Sequence, residues 1–297
     1  MAAPTLLYGI GATKAGTTWL YRYLHDHPQC AMPAVKEAHY WDTFDTESCE
    51  KQVATYRVRL HEMRAAKTAA EGEGRGWQVD NMDRRITDMK ALIKTLVGDR
   101  SEDSAYAAWL MEGRDAAVVV GDITPNYAML SDDDLARMRD LSPTTKFLYL
   151  IRDPLDRLWS HIRMQARRQR QEHEQYEKKS NNILYRMLNR GHETHILARG
   201  DYPKIIRKLR RVIPEGRLLV QFTEDLFTVE GLAKVCAFLG IRPVTATVAR
   251  PVNEGSEVVM LDKLRPRALG LLNEHYEWVA RNVGPLPQRW QDNLARA

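Results

Sequence analysis

The 297-residue sequence predicts an α/β fold, one domain over residues 1–297 with a central parallel sheet flanked by helices. Three observations carry this. Residues 8–24 read YGIGATKAGTTWLYRYL, a short apolar run, a glycine-flanked loop and an amphipathic helical pattern. Residues 146–160 read KFLYLIRDPLDRLWS, a buried parallel strand by pattern that passes directly into a helix. Between them, residues 43–117 are charge-rich and mostly helical in pattern, which reads as a mainly helical insertion and the part most suited to be specific to one substrate.

Composition narrows the class. A 44% hydrophobic and 28% charged chain is that of an ordinary globular protein. No stretch approaches the roughly 18 consecutive apolar residues of a bilayer span, so no integral membrane segment is expected. The first apolar run has no basic region before it and is better used as a strand than as a signal peptide. Cys30, Cys49 and Cys236 are odd in number and widely spaced, which points to a reduced, cytoplasmic setting. A net charge of +5 favours anionic ligands without naming one.

Taken in order, the first strand covers Leu6, Leu7, Tyr8 and Ile10. The loop Gly11-Ala12-Thr13-Lys14-Ala15-Gly16-Thr17-Thr18 then opens a helix carrying Trp19, Leu20, Tyr23 and Leu24. Loop amides and a helix N-terminus favour an anion, and Lys14 adds a full charge, so the segment reads as a phosphate cradle. It departs from the GxxxxGK[ST] loop, because Thr17 follows the second glycine and the lysine has moved back to Lys14. His25, His27, Cys30 and His39 fit no zinc-finger spacing, and no metal is expected. In residues 33–42, Lys36-Glu37 runs into His39-Tyr40-Trp41, a loop whose aromatics would anchor it to the core. Within the insertion Ile86, Met89, Ile93 and Leu96 stand at helical spacing.

The core resumes with a strand at 117–120, followed by GDITPNY. Ser131 with three aspartates behind it reads as a helix N-cap. Arg152 leaves the C-terminal end of the strand at 147–151, where ligands of open α/β sheets bind. Asp153 caps the next helix, Pro154 takes its first position, and Ser160 follows about two turns later. Arg163, Arg167, Arg168 and Arg170, with Glu172, Glu174 and Glu177 close behind, read as a solvated, salt-bridged helix. No aromatic residues interleave with them to stack on bases, and no nucleic-acid partner is expected. A strand at 218–222 leads to Thr223-Glu224-Asp225-Leu226 and a helix closed by Gly240. Residues 250–256 form a polar loop, and Pro266 should break or kink the final helical region.

Four segments together, GATKAGTTW, KEAHYW, LIRDPLDRLWS and FTEDL, resemble the sulfotransferases that use 3′-phosphoadenosine 5′-phosphosulfate. KEAHYW and GDITPNY look like the bacterial and heparan-sulfate-type branch, whereas Trp19 looks like the cytosolic one. The resemblance implies a P-loop nucleotide-kinase-like fold. It also implies sulfuryl transfer from that co-substrate, without metal, to a hydroxyl or amine of a small-molecule, lipid or carbohydrate acceptor. By resemblance Lys14, Ala15, Gly16, Thr17 and Thr18 hold the 5′-phosphosulfate, and Arg152 and Ser160 hold the 3′-phosphate. Trp19 matches a position stacked on adenine, Thr223 one near it, and Glu37 the catalytic carboxylate, with His39 as the rival base. Ile123 stands where the heparan-sulfate enzymes carry a second lysine. Residues 250–256 are the one candidate for a late 3′-phosphate loop. A P-loop nucleotide kinase-like phosphotransferase is the alternative; it would require magnesium, and Lys14 in place of a GK[ST] lysine counts against it.

Overall fold

The computed structural model describes residues 3–114, 116–245 and 258–296. The segment 250–256, named above for the 3′-phosphate, lies outside the described residues.

Strand β1 (Thr5–Gly11) is the centre of the sheet, apolar on both faces and buried from Leu6 onward. It leads through the loop into α1 (Thr17–Asp26) and the two-residue β2 (Cys30–Ala31). The insertion supplies α2 (Thr46–Gly72), α3 (Gly76–Val97) and α4 (Ser104–Met111). Helices α2 and α3 pack along each other through Val53, Tyr56 and Leu60 on one side and Ile86, Met89 and Leu92 on the other. The core resumes with β3 (Val119–Ile123), a shift of two to three residues from the expected 117–120, since Asp122 is carried inside the strand.

Helix α5 (Asp132–Asp140) is capped as expected, the Ser131 hydroxyl accepting from the Asp134 amide at 3.1 Å. Strand β4 (Lys146–Ile151) passes into α6 (Pro154–Gln169), and the Asp153 carboxylate accepts from the Asp156 amide at 2.8 Å. Then come α7 (Tyr176–Arg190), α8 (Thr194–Ala198), α9 (Tyr202–Val212), β5 (Leu218–Phe222) and α10 (Val229–Leu239), which ends on Gly240 at φ 77°. The chain closes with α11 (Arg265–Asn282) and α12 (Gln288–Ala295).

Two expectations need correction. Pro266 neither breaks nor kinks a helix; it sits in the first turn of α11, where its missing N–H costs nothing. Glu174 pairs with Lys179 rather than with the arginines before it, while Arg167 and Arg170 lie over the Tyr176 ring.

The five strands are parallel in the order β2-β3-β1-β4-β5. From β1 the chain winds outward through β2 and back to β3, then crosses to β4 and β5 on the other side. The reversal falls at β1 and β4, and the crevice beyond their C-terminal ends is where such sheets bind ligands.

Candidate active site

The loop between β1 and α1 owes its shape to two left-handed residues, Lys14 at φ 71° and Gly16 at φ 85°. A side chain at Gly16 would also stand 2.8 Å from the Thr223 methyl carbon, so glycine is required there twice over. Three contacts from β4, β5 and their ends hold the loop. The Ala12 amide donates to the Leu150 carbonyl at 2.7 Å, and the Thr223 hydroxyl donates to the Ala15 carbonyl at 2.7 Å. From the end of β4, the Arg152 guanidinium reaches the Lys14 carbonyl at 3.4 Å. No side chain caps α1 and its first turn holds no acid, so its leading amides have no side-chain competitor for an anion.

Electrostatics agree with the geometry. The Lys14 ammonium is pushed below its ordinary value, first by burial and then by Arg152, Arg163, Arg168 and Arg167. Cations crowded around a loop of this form make a site for several negative charges. Ala15 and Thr17 are buried, and Lys14, Gly16, Thr18, Arg152 and Ser160 are half-buried. Ser160 lies in the second turn of α6.

Trp19 and Thr223 each have partners within the protein. Trp19 is 3% exposed, stacked on Tyr23 at 5.6 Å and met edge-on by Phe227, so it has no open face for a base. Thr223 is buried, and its hydroxyl is spent on the Ala15 carbonyl, so it shapes the loop at 11–18 directly.

The second half of the site is the loop at 33–42. Glu37 and His39 are both left-handed, at φ 64° and φ 49°, a conformation the surroundings must impose. The insertion imposes much of it. Tyr56 of α2 donates to the Glu37 carbonyl at 2.5 Å, Asp88 of α3 accepts from the Ala34 amide at 2.6 Å, and Arg100 reaches the Tyr40 and Thr43 carbonyls. Beneath the loop, Asp122 of β3 is fully desolvated and accepts from Tyr127 at 2.7 Å, Thr124 at 2.7 Å, Tyr106 at 3.0 Å and the Ala38 amide at 3.4 Å. Tyr127 in turn accepts from the Tyr40 amide at 2.9 Å.

These supports line up a polar chain. Lys36 contacts one Glu37 oxygen, and His39 Nε2 stands 3.9 Å from the other. His39 Nδ1 meets Asp42 at 2.8 Å, Asn126 donates to Asp42 at 2.5 Å, and Arg199 donates to Asn126 at 2.9 Å. Burial pushes the Glu37 carboxyl up, but His39 and Lys36 outweigh it and hold it down at about 2. Burial likewise pushes His39 down, yet Asp42 and Glu37 raise it to about 9. At neutral pH His39 is therefore an imidazolium held between two carboxylates. Asp42, Asn126, Arg199 and Asp122 were not singled out by the sequence reading. Their partners lie 84 and 73 residues away in the Asp42–Asn126 and Asn126–Arg199 contacts, and no local pattern marks such pairs.

The family's sequence model matches residues 7–243, which span both halves of this site. The chain belongs to the sulfotransferase family. Among solved structures it is similar to a sulfotransferase from Alicyclobacillus acidocaldarius, with 19% identity, a TM-score of 0.60, and coverage of 98% of this chain and 100% of that one. It is also similar to the sulfotransferase domain of the Synechococcus PCC 7002 olefin synthase, with 16% identity, a TM-score of 0.50 and coverage of 100% and 94%. At these identities the likeness is one of fold. No sequence among the curated proteins matches the chain. In this chain the loop at 11–18 and the turn at 152–154 sit together at the sheet's crevice, and no described helix is long and apolar enough to cross a membrane.

Proposed function

We propose that this sulfotransferase moves a sulfuryl group from 3′-phosphoadenosine 5′-phosphosulfate to a hydroxyl or amine of a small-molecule, lipid or carbohydrate acceptor. The observation that carries the reading is the contact of Arg152 with the Lys14 carbonyl, which joins two cationic anion-binding segments in one cleft. The residues present fit a donor with charge at both ends. The loop offers backbone amides, Lys14 and the threonines to one end, and Arg152 with Ser160 serves the other. The donor supplies the activated sulfuryl group. Lys14, set to donate to the bridging oxygen, would stabilise charge as it develops on the leaving side, a role that needs no metal.

Glu37 is the proposed general base, taking the acceptor's proton. Held at about 2 it is a weak base while Lys36 and His39 both engage it. An acceptor hydroxyl entering between Glu37 and Lys36 would release part of that hold and raise its basicity. His39, charged at neutral pH, fits an orienting role between Glu37 and Asp42 better than a base. The insertion at 43–117 grips the loop that carries Glu37, which supports an acceptor-specific part for it.

The test is transfer of labelled sulfate from the donor to extract components, with mass spectrometry of what gains the group. The product 3′,5′-adenosine bisphosphate should also stabilise the fold, by about 2.7 kcal/mol at a hundred times its dissociation constant. Magnesium should add nothing; a magnesium requirement for nucleotide binding would favour the phosphotransferase reading instead.

A further inference from the structure

The turn that presents Arg152 is held at its backbone by the Tyr202 hydroxyl, and just beyond by residues outside the 7–243 span that the family's sequence model matches. Tyr276 of α11 donates to the Asp153 carboxylate at 2.8 Å, and its oxygen accepts from the Leu155 amide at 3.3 Å. Trp290 of α12 is fully buried and donates to Glu224 at 2.9 Å, and the same Glu224 oxygen accepts from the Asp153 amide at 3.1 Å. Arg289 grips both oxygens of Asp156, through Nε at 2.8 Å and Nη2 at 3.1 Å, and Asn293 adds a contact at 3.3 Å.

These contacts have a charge consequence. Asp156 lies in the first turn of α6, four residues after Arg152, and the Arg152 charge is among those acting on it. The Arg152 charge also reaches Glu224. Both are potential captors of the guanidinium, and an arginine locked to a carboxylate is a poor anion ligand. Asp156 is engaged instead on both oxygens by Arg289, while Glu224 gives one oxygen to Trp290 and the Asp153 amide. We propose that Arg289 is a positioning residue for the donor site, keeping Arg152 free for phosphate by occupying Asp156.

The inference rests on the reading that Arg152 holds the donor's 3′-phosphate. Arg289 suits a test because about half of its side chain is exposed (52%), so truncation removes little packing. Binding of 3′,5′-adenosine bisphosphate is titrated by calorimetry on the full chain, with thermal melting to confirm folding. Arg289→Ala should bind roughly ten-fold more weakly or worse, the scale of one charged contact. Its turnover at saturating donor should stay near that of the wild type. Adding Asp156→Asn to Arg289→Ala should restore most of the affinity, because the competing charge is gone. Arg289→Lys, which keeps the charge, should lose less than the alanine variant.

Two results would overturn the proposal. One is wild-type affinity in Arg289→Ala. The other is a double variant as weak as the single or weaker, since a merely structural brace would lose more with each contact removed. Failure of the wild-type protein to bind the bisphosphate at all would instead bring down the donor reading, and this inference with it.

Discussion

The Thr223 hydroxyl donates to the Ala15 carbonyl at 2.7 Å across 208 residues of sequence, tying the end of β5 to the loop at 11–18. Both groups are buried, so the acceptor has no water to turn to if the hydroxyl is lost. Thr223→Val keeps the shape and removes the donor. It should destabilise the fold by about 1–3 kcal/mol, the cost of a buried polar group left unpaired, and weaken donor-product binding as the loop relaxes. Urea unfolding and bisphosphate titration on the same variant check both. Unchanged affinity would show that the loop holds its form without Thr223.

Arg152 should discriminate between ligands. Arg152→Ala should cost about 1.5–3 kcal/mol in binding the bisphosphate, the usual worth of a charge-assisted hydrogen bond, and little for an analogue lacking the 3′-phosphate. Equal losses for both would give Arg152 a purely structural role through its contact with Lys14. Lys14→Ala should lower turnover more than donor affinity, as expected of a group that acts mainly in the transition state.

The Glu37–His39 pair predicts a pH dependence with a definite sign. Glu37 is lowered from 4.5 to about 2, so its contribution to stability is complete above 4.5 and lost as pH falls through about 2. His39 is raised from 6.5 to about 9, so its contribution is complete below 6.5 and lost as pH rises through about 9. Thermal stability of the wild-type protein should therefore fall between pH 6.5 and 9 by a component that His39→Gln lacks. In the same series Glu37→Gln should cut turnover by roughly 100-fold or more while leaving donor binding intact. Normal turnover in Glu37→Gln with loss in His39→Gln would move the base to His39.

Asp122 should prove to be the anchor of the loop at 33–42. Burial pushes its carboxyl up, and four donors converge on it to hold it in place. Asp122→Asn exchanges an acceptor for a donor facing hydroxyls, at a cost of about 1–3 kcal/mol. Amide exchange at Ala38 and Tyr40, both held through this cluster, should quicken, while exchange in β5 should not. Uniform quickening across the sheet would make Asp122 a general core residue.

What the sequence determined by itself was local. The glycines, Lys14 and the amphipathic run of α1 lie within a single strand–loop–helix unit, and Asp153, Pro154 and Asp156 mark the start of α6 within four residues. Such signals are legible because one backbone conformation satisfies them in place. The strand at 218–222 matched β5 for the same reason, a five-residue run bounded by turns. The sequence of residues 33–42 alone does not fix the sign of the Glu37 shift, since burial among aromatics raises a carboxyl and Lys36 lowers it. It was decided by His39 turning back toward Glu37, a contact of two left-handed residues that the loop could not form without Tyr56, Asp88 and Asp122 around it. The indole of Trp19 was likewise assigned to its own core by Tyr23 and Phe227, and Pro266 to a helix start by where α11 begins. Charges and hydrogen bonds act through space, so residues far apart in the chain set the chemistry of Glu37, and only the folded sheet and its insertion bring them within reach.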